Sequence, residues 1–274
     1  MSAKIITLLT DFGLKDVYVG AMKGAIALIN PTLTAIDLTH QIPPQNLTAA
    51  RFCLTNAYPY FPKGTVHVAV VDPGVGSRRR AIAVRLTNGF LVGPDNGIFS
   101  GVIETLEEKV LSAVELTNSN YWRTPRPSTT FHGRDIFAPA GAHLASGVSL
   151  EKLGEAIDPG SLVTLPLPEA SRPKEAEGAI EGFIQYIDGF GNSISNIPGA
   201  VVRGKNWRAI AGGKKIPSGN TYADCEPGEL ICIVGSHGWV EIAANGGSAQ
   251  SQLQLEWGDR VRVLFGDRGE EVGN

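Results

Sequence analysis

An acid and several arginines separate two apolar runs in the stretch VVDPGVGSRRRAIAV, residues 70–84. Asp72 ends the first run, and the glycines after it permit a tight loop that can fold a guanidinium back onto the carboxylate. Arginine does not lose its proton, so such a pairing keeps the aspartate ionised and oriented. A solvated loop is the simpler interpretation for Arg78 and Arg80, and less so for Arg79. The stretch therefore predicts a charged, fixed acid at the end of a strand.

A histidine with polar neighbours follows in the segment TTFHGRD, residues 129–135. An imidazole near its unperturbed pKa can exchange a proton with bound water, which makes His132 a candidate for acid–base chemistry. A lone histidine more often has a structural role, but the setting of His132 beside Arg134 and Asp135 favours a functional one. The structural role is our interpretation of the others: His40, His67, His143 and His237.

Turns that carry an acid recur after apolar runs in the first half of the chain. The sequence TDFG places Asp11 directly after the first run, and Asp72 and Asp95 stand in similar turns. Polar residues just past the ends of parallel strands face the ligand crevice in doubly wound sheets. A carboxylate at Asp11 can accept two hydrogen bonds from a ribose diol, with a helix cap as the alternative role. Aspartate, glycine and proline are common turn-forming residues, which is enough to explain any one of these turns. It explains less well why acid-bearing turns recur in one sheet.

Two loops in the last third of the chain offer recognition groups. The stretch IDGFGNSISNI, residues 187–197, combines a carboxylate for an ammonium at Asp188 with an aromatic face at Phe190. Asn192 adds an amide that can read a purine edge. A glycine-rich turn between strands is the simpler interpretation. The second loop, residues 234–249, adds further side chains: Ser236, Trp239 and Asn245.

Strand-like and helix-like segments alternate in the first part of the chain, which predicts a mainly parallel sheet with flanking helices. A hairpin turning at Asn88-Gly89 interrupts this order. The later part of the chain contains short strands and few helices, which is typical of a small antiparallel β domain. We therefore predict an α/β fold with an N-terminal α/β domain at residues 1–163, a linker at 164–178 and a C-terminal β domain at 179–274.

Bulk composition excludes several classes of protein. The chain of 274 residues has a net charge of −3, so no basic surface favours nucleic acid. Its 3 cysteines lack C-x-x-C spacing, which argues against a disulfide framework or thiolate zinc site and favours a reducing compartment. No run approaches the roughly 18 apolar residues of a membrane helix, and the N-terminus lacks signal-peptide features. We expect a cytoplasmic protein without a membrane partner.

Seven blocks together resemble the S-adenosyl-L-methionine (SAM) hydroxide adenosyltransferases, the SAM hydrolases related to fluorinases and chlorinases. The resemblance covers nearly the whole chain, in order, and rests on TDFG, HQIPPQN, VVDPGVGSRRR, GPDNG, TFHGRD, DGFGNSISNI and SHGWVEIAANGGSA. It implies attack of water on C5′ of SAM to give adenosine and L-methionine, with no cofactor and no metal. It also implies a homotrimer whose sites lie between the N-terminal domain of one subunit and the C-terminal domain of its neighbour.

The resemblance also implies roles for individual residues. The catalytic set maps onto Asp72, Arg79 and His132, with Arg80 as the alternative partner of the acid and with the formal base left open between Asp72 and His132. The substrate-binding residues that it implies are Asp11 for the ribose, Asp188 for the methionine ammonium, Asn192 for adenine, Ser236 for the methionine carboxylate, and Phe190 and Tyr222 as neighbours of adenine.

Departures from the halogenases favour water over halide. This chain has Gly133 where the fluorinase pattern has a halide-binding serine, and Asp72 where the halogenases have a tyrosine; their extended loop is also absent. Two alternatives remain open from the residues: a metal-dependent nucleoside hydrolase, since clustered aspartates suit calcium, and a non-catalytic protein that binds adenosine or SAM.

Overall fold

The computed structural model describes residues 4–106, 108–166, 170 and 179–266, and it divides the chain into two units, Met1–Pro166 and Leu167–Asn274. The first unit is an α/β unit and the second is an antiparallel β unit, which confirms the predicted fold class. Most of the predicted linker, residues 164–178, lies outside the described residues, so its bounds stay a prediction.

The N-terminal unit is built on one seven-stranded sheet with the order β2-β1-β3-β5-β4-β6-β7. The first four strands of that order run parallel, and the remaining pairs are antiparallel, including the predicted β4–β5 hairpin. The strands are β1 (Ile5–Thr10), β2 (Thr34–Thr39), β3 (Thr65–Val70), β4 (Ala81–Leu86), β5 (Gly89–Pro94), β6 (Val110–Glu115) and β7 (Glu155–Ile157).

Four α-helices accompany this sheet in the described part of the unit, in agreement with the predicted alternation of strands and helices. They are α1 (Tyr18–Ile29), α2 (Leu47–Ala57), α3 (Ser100–Thr105) and α4 (Ala138–Ala145), and a π-helical turn, Gly133–Phe137, leads into the last of them. None of the helices in the described residues has the length and hydropathy needed to span a bilayer.

Alternation along β1 and β3 explains the main core of the N-terminal unit. Ile6 and Leu8 on β1 and Val68 on β3 are fully or almost fully buried in one apolar cluster. Helix α4 is rich in alanine and glycine, so it can pack closely on these strands. A Cβ added at Gly141 would lie 2.6 Å from Val68 Cγ2, so a larger residue there would push the helix off the sheet.

Parallel pairing of β1 with β3 brings two acids to the same edge of the sheet. Thr10, the last residue of β1, is in register with Val70, the last residue of β3. Asp11 follows the first of these directly, and Asp72 comes two residues after the second. The carboxyl ends of adjacent parallel strands thus place both acids in the crevice where such sheets bind ligands.

The C-terminal unit is a second seven-stranded sheet, antiparallel throughout, with the order β11-β10-β14-β8-β9-β13-β12. Its core contains apolar residues from alternate strand positions and from one short helix. The elements are β8 (Ala179–Ile187), β9 (Ser193–Pro198), β10 (Trp207–Ala211), β11 (Lys214–Pro217), β12 (Leu230–Val234), β13 (Trp239–Ala244), β14 (Arg260–Phe265) and α5 (Ala249–Leu253).

We expect Leu8→Ala to lower the free energy of unfolding by about 2–5 kcal/mol, because it leaves a cavity in the main apolar cluster of the N-terminal unit. The matched control is Leu28→Ala on α1, whose side chain is 84% exposed, and which should change stability by less than about 0.5 kcal/mol. Denaturant unfolding of the two variants measures both effects. Equal losses of stability would contradict the assigned core.

Candidate active site

Asp72 and Arg79 form a tight ion pair at the end of β3. Arg79 Nε lies 3.0 Å from both carboxylate oxygens, and Nη2 lies 2.6 Å from Oδ2. The side chains of Asp72 and Arg79 are 6% and 11% exposed, so the pair is largely removed from solvent. A buried, charge-assisted contact of this kind fixes the orientation of a carboxylate.

The glycines of the intervening loop make this contact possible. Gly76 has φ +77°, and a Cβ there would lie 2.6 Å from the carbonyl oxygen of Thr129. A Cβ at Gly74 would lie 3.2 Å from Arg79 Cγ. The loop therefore turns tightly against residues 129–132 and leaves room for the arginine stem, as the sequence predicted.

Arg80, the alternative partner, points elsewhere. Its Nε donates to Asp95 Oδ2 at 2.8 Å, and its Nη1 donates to Ser161 Oγ at 2.9 Å. Asp95 also accepts the backbone N–H of Val163 through Oδ1 at 2.9 Å. In this geometry Arg80 fixes the chain near residues 161–163, and Arg79 alone of the two reaches Asp72.

Arg79 also contacts His132, which joins the three residues of the predicted set. Its Nη2 lies 2.7 Å from His132 Nδ1. Because a guanidinium only donates, Nδ1 must accept this bond, and the neutral imidazole then carries its proton on Nε2. Burial and the charge of Arg79 lower the pKa of His132 below its usual 6.5, although the carboxylates of Asp72 and Asp135 oppose this shift.

Asp135 holds the segment that carries His132, a role the sequence analysis did not assign. This carboxylate is fully buried, and it accepts bonds from Arg123 Nε at 2.6 Å, Arg134 Nε at 2.7 Å and the backbone N–H of Ser128 at 2.8 Å. Burial opposes its ionisation, but the arginine and backbone donors together hold the pKa of Asp135 well below its usual value. The position of this acid in TFHGRD, three residues after His132, was the signal in the sequence that could have indicated the role.

A cleft of about 330 Å³ in the N-terminal unit gathers Asp11, Asp72 and His132. Asp11 Oδ2 accepts the backbone N–H of Gln45 at 2.8 Å, which anchors the carboxylate beside the PPQN turn. The remaining wall is mainly aromatic and apolar, and includes Phe12, Tyr18, Val70, Val75 and Phe131. The cleft thus combines polar groups at its end with an apolar lining, as small-molecule sites commonly do.

Gly133 shapes the same cleft next to His132. A Cβ at this position would lie 3.3 Å from Met22 Sδ and 3.3 Å from the ring of Phe12. Neighbouring side chains therefore leave little space for a larger residue at position 133, and glycine provides no hydroxyl to the cleft.

A second cleft, of about 590 Å³, lies in the C-terminal unit and is lined by Phe190, Asn192 and Tyr222. Asp188 stands beside it, and its carboxylate accepts Asn192 Nδ2 through Oδ2 at 2.9 Å and the N–H groups of Phe190 and Asn192 through Oδ1. Phe190 is 81% exposed, which leaves its ring open to a ligand.

Ser236 does not line this second cleft. It lines a different cavity of the C-terminal unit, together with Arg203, Lys205 and Trp207. The structure therefore brings together Phe190, Asn192 and Tyr222, but not Ser236. Among the residues that the structure describes, no group of three or more His, Cys, Asp or Glu side chains is arranged to hold a metal ion.

Comparison with known proteins gives the same family over both units. Residues 6–154 match the SAM hydroxide adenosyltransferase N-terminal domain, and residues 182–262 match the C-terminal domain of that family. A protein named (R)-S-adenosyl-L-methionine hydrolase from Salinispora arenicola is 42% identical over 95% of this chain and 98% of its own. A protein of the same name from Thermus thermophilus is 40% identical over 93% and 98%.

More distant relatives and a solved structure agree. A fluorinase from Actinopolyspora mzabensis is 28% identical over 96% of this chain and 97% of its own. The crystal structure of an uncharacterized conserved protein from Thermotoga maritima superposes with a TM-score of 0.87 at 35% identity, covering 94% of this chain and 99% of that one. This chain therefore belongs to the SAM hydroxide adenosyltransferase family.

Proposed function

We propose that this protein hydrolyses SAM to adenosine and L-methionine. The observation that carries the proposal is the contact of Arg79 with both Asp72 and His132, in a cleft that also contains Asp11. Relatives of up to 42% identity named (R)-S-adenosyl-L-methionine hydrolase support it. The proposed roles are catalytic for Asp72, Arg79 and His132, and ribose binding for Asp11.

The substrate itself supplies a good leaving group. Water attacks C5′, the C5′–S bond breaks, and its electron pair returns to sulfur, so methionine leaves as a neutral thioether. No strong general acid is needed, but a water must be held in line with the breaking bond. Deprotonation of that water gives the 5′-hydroxyl of adenosine.

The hydrogen bonds favour Asp72 over His132 as the proton acceptor. His132 Nδ1 is occupied by Arg79, so its Nε2–H donates to the water oxygen and orients it. Asp72 keeps further lone pairs besides those bonded to Arg79, and one of them accepts a water proton. General-base assistance of this kind contributes about 10²–10⁴-fold, and positioning and desolvation supply more.

The recognition residues of the C-terminal unit complete the proposal. Asn192, Phe190 and Tyr222 bind adenine in their shared cleft, and Asp188 receives the methionine ammonium. Ser236 binds the methionine carboxylate. The alternatives are not favoured, because Arg79 already balances the charge of Asp72, and relatives of up to 42% identity over nearly the whole chain are named as SAM hydrolases.

We propose that the complete site forms between neighbouring subunits of a homotrimer. Catalytic residues line a cleft of the N-terminal unit, and recognition residues line a cleft of the C-terminal unit. Exposed apolar residues near the first cleft, Leu14, Val17 and Tyr18, suit burial by a neighbour. The odd number of cysteines, without C-x-x-C spacing, fits the cytoplasmic location that we propose.

Incubation of the purified protein with SAM and chloride, followed by chromatography, tests the reaction. We expect adenosine and methionine in equal amounts, without 5′-chloro-5′-deoxyadenosine. Asp72→Asn keeps the shape of the side chain but removes the proton acceptor, so turnover should fall by about 10²–10⁴-fold while adenosine still binds.

Two arginine variants give a matched control for this test. Arg79→Lys keeps the charge but lacks the planar pair of nitrogens that bonds Asp72 and His132 together, so it should also lose turnover. Arg80→Lys alters the neighbouring contact with Asp95 and should retain most of the activity. Parental turnover in Asp72→Asn, or equal losses in the two arginine variants, would overturn the assigned site.

The pH dependence of kcat/KM tests the state of His132. Its active form is neutral, and burial and Arg79 lower its pKa, so the midpoint of the acid-side decline in kcat/KM should lie below pH 6.5. Protonation of Nδ1 would break the bond to Arg79. His143→Gln is the control, since His143 lies outside the cleft, and its profile should match the parent. A midpoint above pH 6.5 would contradict the assignment.

Complementation between two inactive variants tests the shared site. We combine Asp72→Asn, which damages the N-terminal half, with Asn192→Ala, which damages the C-terminal half. If half-sites from neighbouring subunits pair, random co-assembly makes about one site in four intact and restores about a quarter of the activity. No recovery in mixed trimers, or full activity in a parental protein that sediments as a monomer, would exclude the shared site.

A further inference from the structure

Glu241 is a buried carboxylate that the proposed chemistry does not use. It lies on β13 within the apolar run WVEIAA, and its side chain is only 4% exposed. A carboxylate is removed from water at a high cost unless donors replace the lost hydration. The donors that it has in the structure therefore indicate what this position does.

Two side chains from different loops donate to Glu241. Tyr222 Oη donates to Oε1 at 2.7 Å, and His237 Nε2 lies 2.9 Å from Oε2. The backbone N–H of Trp239 donates to His237 Nδ1 at 3.2 Å, so the proton of the neutral imidazole is on Nε2 and points at the carboxylate. Glu241 thus ties the Tyr222 turn to the Ser236-His237 turn.

The backbone makes room for this contact. A Cβ at Gly235 would lie 2.2 Å from Glu241 Oε2 and 2.5 Å from His237 Nε2, so the network requires glycine there. The Tyr222 turn has its own support, because Asp224 Oδ2 accepts the backbone N–H of Asn220 at 2.7 Å and forms a capping box with Thr221. The backbone of that turn is therefore stabilised independently of the bond between Tyr222 and Glu241.

Tyr222 links this network to the cleft of the C-terminal unit. Its side chain is part of the cleft wall and 42% exposed, whereas its hydroxyl reaches the buried carboxylate. Burial and the neighbouring carboxylates of Glu241 and Asp188 raise the pKa of Tyr222 to about 12, so the hydroxyl remains a donor at neutral pH. A partly exposed ring without this bond would be free to leave the wall.

We propose that Glu241 is a positioning residue that holds the ring of Tyr222 in place for the adenosyl group. This inference rests on the proposed function, which assigns that cleft to adenine. Ordering the ring before the ligand arrives reduces the entropic cost of binding. Since the reacting groups lie on the N-terminal unit, the network acts on binding and leaves the chemical step unchanged.

Calorimetric titration with adenosine and steady-state kinetics with SAM test this role in three variants. Tyr222→Phe keeps the ring but removes the donor, so it should raise the Kd for adenosine and the KM for SAM by about tenfold, with kcat changed less than about twofold. Glu241→Gln offers only one acceptor oxygen to two donors and should give a smaller rise. The double variant should match Tyr222→Phe, because both changes remove one interaction.

Glu256→Gln is the control for charge, since Glu256 is exposed on the same unit, and it should bind as the parent does. An unchanged Kd in Tyr222→Phe would overturn the inference, as would fully additive effects in the double variant or a parent that binds no adenosine. If the parent binds adenosine but does not hydrolyse SAM, the proposed reaction fails, whereas the Kd comparison still decides the role of Glu241.

Discussion

The cleft of the N-terminal unit depends on one guanidinium that bonds at once to the two side chains for which we propose catalytic roles. Arg79 reaches Asp72 through Nε and Nη2 and reaches His132 through Nη2. Because arginine remains charged and only donates, this single group orients the carboxylate and selects the tautomer of the imidazole. The direction in which each group can exchange a hydrogen bond with water is thereby fixed before substrate binds.

The fold supplies this contact through neighbouring strand ends and a glycine-dependent loop. Parallel pairing of β1 and β3 sets Asp11 and Asp72 at one edge of the sheet. The loop after Asp72 must pack against Thr129, which Gly76 allows. On the other side, the buried carboxylate of Asp135 holds Ser128 and two arginines around the segment of His132. Two independently supported loops therefore converge on Arg79.

The sequence predicted the strand ends well because alternating apolar runs mark buried strands directly. Asp11 and Asp72 were found this way, and so was the hairpin at Asn88-Gly89. The choice between Arg79 and Arg80 could not be made from residue types, since adjacent arginines have the same chemistry and only the turn of the loop separates their directions. The strands β6 and β7 were missed; β7 spans only three residues and lacks a periodic pattern, whereas β6 has the same length as the N-terminal strands that were found.

Long-range pairing explains what the sequence could not supply in the C-terminal unit. Tyr222 and Glu241 are 19 residues apart, and they meet because Tyr222 lies in the turn before β12, which pairs with β13, the strand that carries Glu241. An acid inside the apolar run WVEIAA was a visible signal of a buried, partnered carboxylate, but its partners depended on this pairing. Ser236 illustrates the reverse case: its loop motif matched the family, yet it lines a different cavity from Phe190 and Asn192.

The preference for water over halide that we propose follows from the same charges. A halide accepts hydrogen bonds but cannot donate them, so it gains nothing from a carboxylate and is repelled by it. A water molecule can donate to Asp72 and accept from His132 Nε2–H, and therefore satisfies both groups. Gly133 has no hydroxyl that could donate to a halide and offset that repulsion, and Phe12 and Met22 lie close to this position. With the same sulfonium leaving group, these neighbours favour water as the nucleophile in the proposed reaction.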